Sequence, residues 1–178
     1  MAKQSRNFFI SYHHDYDQKY AKALNKAKQG MKVANYSLKD DISEYTDEQI
    51  YKVIRNKMRA CSVTIILIGE RTGHRKWIDW ELWASLRGYK NRSNPKRSFR
   101  PKGLLAIYLP TENHSVPERL QANIDSGYAV SMSWKNIERD LEGRINYAIW
   151  KRDNASHEIK NNLERFDRNA FNFLGFRI

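Results

Sequence analysis

The run Ser62–Ile68, reading SVTIILI, constrains this chain more than any other stretch. It is apolar almost throughout, and a strand without polar alternation is one covered on both faces. Such strands belong to sheets with helices packed above and below, joined by crossovers that return the chain parallel to itself. The flanking sequence supplies those pieces. Asn7–Tyr12 (NFFISY) is a β-prone aromatic run. Asp15 with Gln18 forms a capping-box pattern, and Tyr20, Ala23, Leu24 and Ala27 then recur at helical spacing until Gly30. Met31–Ala34 reads as a weak second strand and Asn35–Tyr45 as a polar loop. Thr46 with Gln49 gives another capping box, opening a helix with the apolar stripe Ile50, Val53, Ile54 and Met58.

After Ser62–Ile68 the pattern repeats. A helix is expected from about Arg75 to Tyr89, a strand at Leu104–Leu109, a short helical piece at Pro117–Asn123 and a strand at Tyr128–Ser131. Ser133 then caps a helix carrying Ile137, Leu141, Ile145 and Ala148. The fold expected is α/β: a flavodoxin-like, three-layer sandwich with a five-stranded parallel sheet. At 178 residues the chain has enough material for one such domain. The tail 151–178 reads as a helical extension packed on or near that domain, with Ile159, Leu163, Phe166, Ala170 and Phe173 on one stripe from Ser156 to Leu174.

Composition narrows the class. Hydrophobic content is 40% and charged content 29%, which fits a globular chain rather than a disordered one. The longest apolar run is too short to span a bilayer, and the N-terminus has no signal-peptide pattern, so a cytoplasmic location is expected. The single cysteine, Cys61, agrees with a reducing compartment and reads as a small core residue. Net charge is +12. Part of the excess lies in Arg87, Lys90, Arg92, Lys96, Arg97, Arg100 and Lys102, within a segment of loop composition. A charged loop of this kind reads first as solvated, second as a ligand or partner surface, and only distantly as a nucleic-acid interface.

The motifs exclude several chemistries. No Gly-rich cradle for phosphates follows any strand; the first leads into SYHHDYD. His13 and His14 are adjacent and therefore diverge, and no metal-ligand spacing occurs, so no metal or resident cofactor is expected. A receiver-type phospho-acceptor fails because the Ser62–Ile68 strand ends in Gly69–Glu70 rather than an acceptor aspartate. Glu81 remains. Four-residue spacing places it with Trp77 and Ser85, while Ile78, Leu82 and Leu86 form the buried stripe. On spacing alone it reads as a solvated helical glutamate; set against indole rings it would be desolvated and its pKa raised.

Two stretches carry a family resemblance. FFISYHHDYD resembles the first-strand motif of TIR-like domains. SVTIILIGERTGHRKWIDWEL resembles their later strand and following helix, where a Trp precedes the catalytic glutamate by four residues; here these are Trp77 and Glu81. The pair is similar in particular to the bacterial TIR-like proteins of the Thoeris antiphage system, the ThsB type. The resemblance covers roughly residues 5–150. It implies an NAD-consuming enzyme that cleaves the nicotinamide–ribose bond and makes an ADP-ribose-derived, typically cyclic, signalling nucleotide after sensing phage. That messenger would activate a partner effector. NAD would be substrate and not cofactor, and the chain would act alone or as a homo-oligomer, away from membranes. Glu81 would be catalytic. Phe9, Ser11, Tyr12 and His13 would line the pocket, with Asp15 and Asp17 as weaker candidates, and Trp77 would either support the pocket wall or pack in the core. Some TIR-like domains act only as adaptors by homotypic assembly, which is the alternative reading.

Overall fold

The computed structural model describes residues 7–27, 45–90 and 98–169. The chain runs β1 (Phe8–Ser11), α1 (His14–Ala27), α2 (Asp47–Met58), β2 (Val63–Ile68) and α3 (Lys76–Ser85). It continues through β3 (Tyr89–Lys90), β4 (Ser98–Phe99), β5 (Gly103–Tyr108), α4 (Glu118–Asp125), β6 (Val130–Ser133) and α5 (Ile137–Asn154). Four strands form a parallel sheet in the order β1-β2-β5-β6. The fifth strand expected at Met31–Ala34, and the loop after it up to residue 44, lie outside the described residues.

Strand alternation builds the three layers. Successive side chains point to opposite faces of a sheet. On one face Phe8, Ile10, Ile65, Leu67, Leu105 and Ile107 meet Ala21 and Leu24 of α1 and Leu141, Ile145 and Ala148 of α5. On the other, Ile66, Ile68, Leu104 and Ala106 meet Ile78 and Leu82 of α3 and Leu120 of α4. Phe9 shares that second face, packed among Ile50, Ile54, Met58, Trp80 and Ala84. Both layers are buried, which is why Val63–Ile68 can be apolar at every position but one. The exception, Thr64, places its hydroxyl 2.7 Å from that of Ser85, which in turn donates to the Glu81 carbonyl at 2.7 Å. A buried hydroxyl pair thus fixes the second half of α3 on β2. Close approach at the other face needs Gly103, where a Cβ would fall 2.2 Å from the Ala148 carbonyl oxygen of α5.

Several local expectations are corrected. Thr46 and Gln49 do form a reciprocal capping box on α2. Asp15 does not cap α1: the helix begins at His14, the Asp17 N–H donates to the His13 carbonyl, and Asp15 lies exposed in the first turn. Ser133 makes no side-chain cap, because a 3-10 turn at Trp134–Asn136 intervenes before α5. The helix expected from Arg75 to Tyr89 ends at Ser85, and Tyr89–Lys90 pairs antiparallel with Ser98–Phe99. Within the basic segment Arg87 and Arg100 are exposed, but Lys102 is buried, and burial pulls its ammonium pKa down to about 8.

The largest departure is the tail. After α5 ends at Asn154, one 3-10 turn at Ser156–Glu158 is the tail's only helical piece among the described residues; Ala170 and Phe173 of the expected stripe lie outside the described residues, and residues 159–169 form no helix. They make a strap across α3 and α4 instead. Stripe spacing is necessary for an amphipathic helix but does not outcompete specific backbone partners: here the strap's carbonyls and N–H groups bond to side chains of α3 and α4. Among the described residues no helix is long and apolar enough to cross a membrane.

Candidate active site

Ser11 ends β1, on the same face as Phe9, and so points at α3. Glu81 comes one turn after Trp77 in α3. The two meet: the Ser11 hydroxyl donates to Glu81 Oε2 at 2.5 Å. Glu81 is 6% exposed. The solvated helical glutamate that spacing alone suggests is therefore not what forms, since α3 turns this residue onto the end of β1. Burial pushes the Glu81 carboxyl up to about 8, with the Ser11 hydrogen bond pulling weakly the other way.

Of the residues that follow β1, Tyr12 lies near enough for the Glu81 charge to act on it. Tyr12 is half-buried, and both burial and the neighbouring Glu81 charge raise its phenol pKa. Its ring stacks on His14, with centroids 4.5 Å apart. His13 is buried, and among the described residues neither ring nitrogen has a hydrogen-bond partner. Burial first, then the Arg75 charge, drives its pKa down to about 4, so the imidazole is neutral. Asp15 approaches its Nδ1 only to 4.0 Å.

The remaining expected residues fall elsewhere. Phe9 is 0% exposed and fills the apolar cluster beneath α2 and α3, so its side chain is core and does not line an open pocket. The pocket role that the resemblance assigned to it is corrected to support from below. Trp77 is half-buried against that cluster, edge-on to Trp80 at 5.4 Å, with the Lys76 ammonium over its ring at 4.7 Å. Asp17 is buried against Gly69, where a Cβ would come within 2.8 Å of its carboxylate; burial raises its pKa to about 6. Beside it, a cleft of about 400 Å³ lined by Tyr16, Asp17, Tyr20, Arg71 and Thr111 opens on the α1 side of the sheet. Glu81 lies on the α3 side.

Asp79 and Arg119 went unread in the sequence. Asp79 is buried two residues before Glu81, and Arg119 of α4 donates to both its oxygens, at 2.8 and 3.3 Å. The only sequence signal was an acid in the first turn of a helix otherwise lined by Trp, Ile and Leu. Its partner, 40 residues away, has none.

Chemically, the arrangement offers one protonatable carboxyl held by a hydroxyl at the carboxyl end of a parallel strand, where doubly wound sheets bind ligands. Among the described residues no group of three or more His, Cys, Asp or Glu side chains is placed to hold a metal ion. The family model for the TIR-like domain of the Thoeris protein ThsB matches residues 9–114, spanning β1 through β5 and including Ser11, His13, Trp77 and Glu81. The chain therefore belongs to the ThsB TIR-like family of the Thoeris system.

Proposed function

We propose that this chain cleaves NAD at the nicotinamide–ribose bond, with Glu81 as the catalytic carboxyl, and releases an ADP-ribose-derived cyclic nucleotide that activates a partner effector in antiphage defence. The observation that carries the reading is the buried Glu81 carboxyl held by Ser11 at the end of β1. Departure of nicotinamide takes the bonding electron pair with it and leaves positive charge on the ribose carbon. A fixed carboxylate stabilises that charge more than it stabilises the neutral sugar, as catalysis requires. Capture by water, with loss of a proton, gives ADP-ribose; capture by a nucleophile within the ADP-ribose portion, again with loss of a proton, closes a ring. Exclusion of water favours closure.

Free Glu81 is largely protonated near neutral pH, given a pKa of about 8. The substrate's own pyridinium charge favours the ionised form, so binding and deprotonation are coupled. Ser11 orients the carboxyl, Tyr12 and the neutral His13 form the adjoining wall, and Trp77 with Phe9 backs it from the core.

The adaptor reading has one observation in its favour: Tyr147 and Trp150 stack at 5.8 Å on the outer face of α5 and are each about half exposed, which suits a contact between copies. Phage challenge of cells carrying the partner effector with either the parent chain or Glu81→Gln separates the two. Loss of protection with Glu81→Gln at equal protein level supports the enzyme. Equal protection supports the adaptor.

A further inference from the structure

The C-terminal strap converges on one side chain. Arg119 is 1% exposed, among the most buried of the large residues. Its Nε and one terminal nitrogen bind the two oxygens of Asp79. The other terminal nitrogen donates to Asn161 Oδ1 at 2.8 Å and to the Leu163 carbonyl at 3.0 Å, and Nη2 also reaches the Glu164 carbonyl at 2.9 Å. The guanidinium fork thus joins three strap residues to α3. The strap returns the bonds directly to α3: the Phe166 N–H donates to Asp79, the Trp80 indole donates to the Phe166 carbonyl, and Asn161 donates to the Trp83 carbonyl. Asp79 and Trp83 stand two positions before and after Glu81, so the strap grips the side of α3 opposite the carboxyl.

We propose that Arg119 is a positioning residue for Glu81: by bolting the strap to Asp79 on the far side of α3 it holds the first turns of the helix against the end of β1, where Ser11 meets the carboxyl. The proposal rests on the reading of Glu81 as the catalytic group. The geometry requires such a device. The second half of α3 is anchored by the Ser85–Thr64 pair. At the start of the helix the N-cap residue Arg75 makes no side-chain cap, the Lys76 N–H is held by Asn169 of the strap, and Asp79 would be a buried charge without a counter-charge if Arg119 were removed. Lysine is no substitute, because one ammonium cannot supply the planar fork that spans Asp79 and the strap carbonyls together.

The test reads the Glu81 carboxyl directly, by carbon-13 NMR of glutamate-labelled full chain, assigned with Glu81→Gln and titrated without NAD. The titratable group whose charge acts with it is Tyr12, directly after β1, and its raised pKa keeps the phenol protonated across the range used. In the parent chain the midpoint lies near 8. Arg119→Lys lowers it by about one unit, toward the ordinary carboxylate value, as water enters. Asn161→Ala, which removes two strap bonds, from Arg119 and to the Trp83 carbonyl, and leaves the Asp79 pair intact, lowers it less. It decides the matter alone should Arg119→Lys not fold. A folded variant with a lower melting temperature and an unmoved midpoint overturns the proposal, because a purely structural role changes stability only. Since no NAD is present, a moved midpoint in a chain that does not consume NAD leaves the positioning role standing and rejects the catalytic reading.

Discussion

The Ser11 hydroxyl and the Glu81 carboxyl, 70 residues apart in sequence, lie 2.5 Å from one another with both side chains buried. A hydrogen bond to the ionised form lowers a carboxyl's pKa, and burial raises it; here burial dominates. The pH dependence of the reaction follows. If the ionised form acts, kcat/KM rises with pH through about 8 in the parent chain. Ser11→Ala removes the one contact that lowers the value, so the rise moves to higher pH. Nicotinamide release measured from pH 6 to 10 in both chains reads the two midpoints.

Stability carries the same signature with a fixed sign. The folded Glu81 carboxyl binds its proton up to about 8, whereas the unfolded chain releases it near 4.5. The contribution is fully present below the unfolded value and is lost as pH rises through the folded one. Glu81→Gln removes that dependence. Denaturant unfolding at pH 5 and pH 9 is expected to show the parent losing on the order of a few kcal/mol more than the variant.

His13 has the opposite sense. Its folded pKa is about 4 against an ordinary 6.5, so the stability held by the neutral imidazole is present above 6.5 and is lost as pH falls through 4. His13→Gln should unfold at lower pH than the parent in an acid titration followed by tryptophan fluorescence.

Phe9 separates core from pocket. Fully buried among Ile50, Ile54, Met58 and Trp80, it costs ~3–5 kcal/mol when truncated to alanine. Phe9→Leu should lower the melting temperature while leaving KM for NAD close to the parent value, in contrast to Tyr12→Ala, which should raise KM.

Gly103→Ala tests the three-layer packing. Its new methyl would meet the Ala148 backbone, which cannot move without displacing α5, so a loss of ~1–3 kcal/mol or more is expected from denaturant unfolding.

Strand positions and the apolar stripes were legible in the sequence because periodicity reports burial directly: Val63–Ile68 and the stripe Ile137, Leu141, Ile145 and Ala148 stand where their spacing put them. Helix starts were less so. Thr46 caps because Gln49 answers it, whereas Asp15 is displaced by a helix that begins at His14. The tail failed for a different reason. Its stripe was a real apolar pattern, but Asn161, Leu163, Glu164 and Phe166 find their partners on Arg119, Asp79, Trp80 and Trp83, and no local pattern encodes a bond across 40 or more residues. Glu81 shows the same limit. Spacing placed it beside Trp77 and Ser85, and only the approach of Ser11 from β1 reveals a buried carboxyl.

Mass spectrometry of lysates from phage-challenged cells expressing the parent chain or Glu81→Gln reads whether Glu81 carries NAD cleavage. NAD loss, free nicotinamide and a new ADP-ribose-derived product are expected with the parent alone. Equal product from both chains, or none from either across several phages, would contradict that role of Glu81.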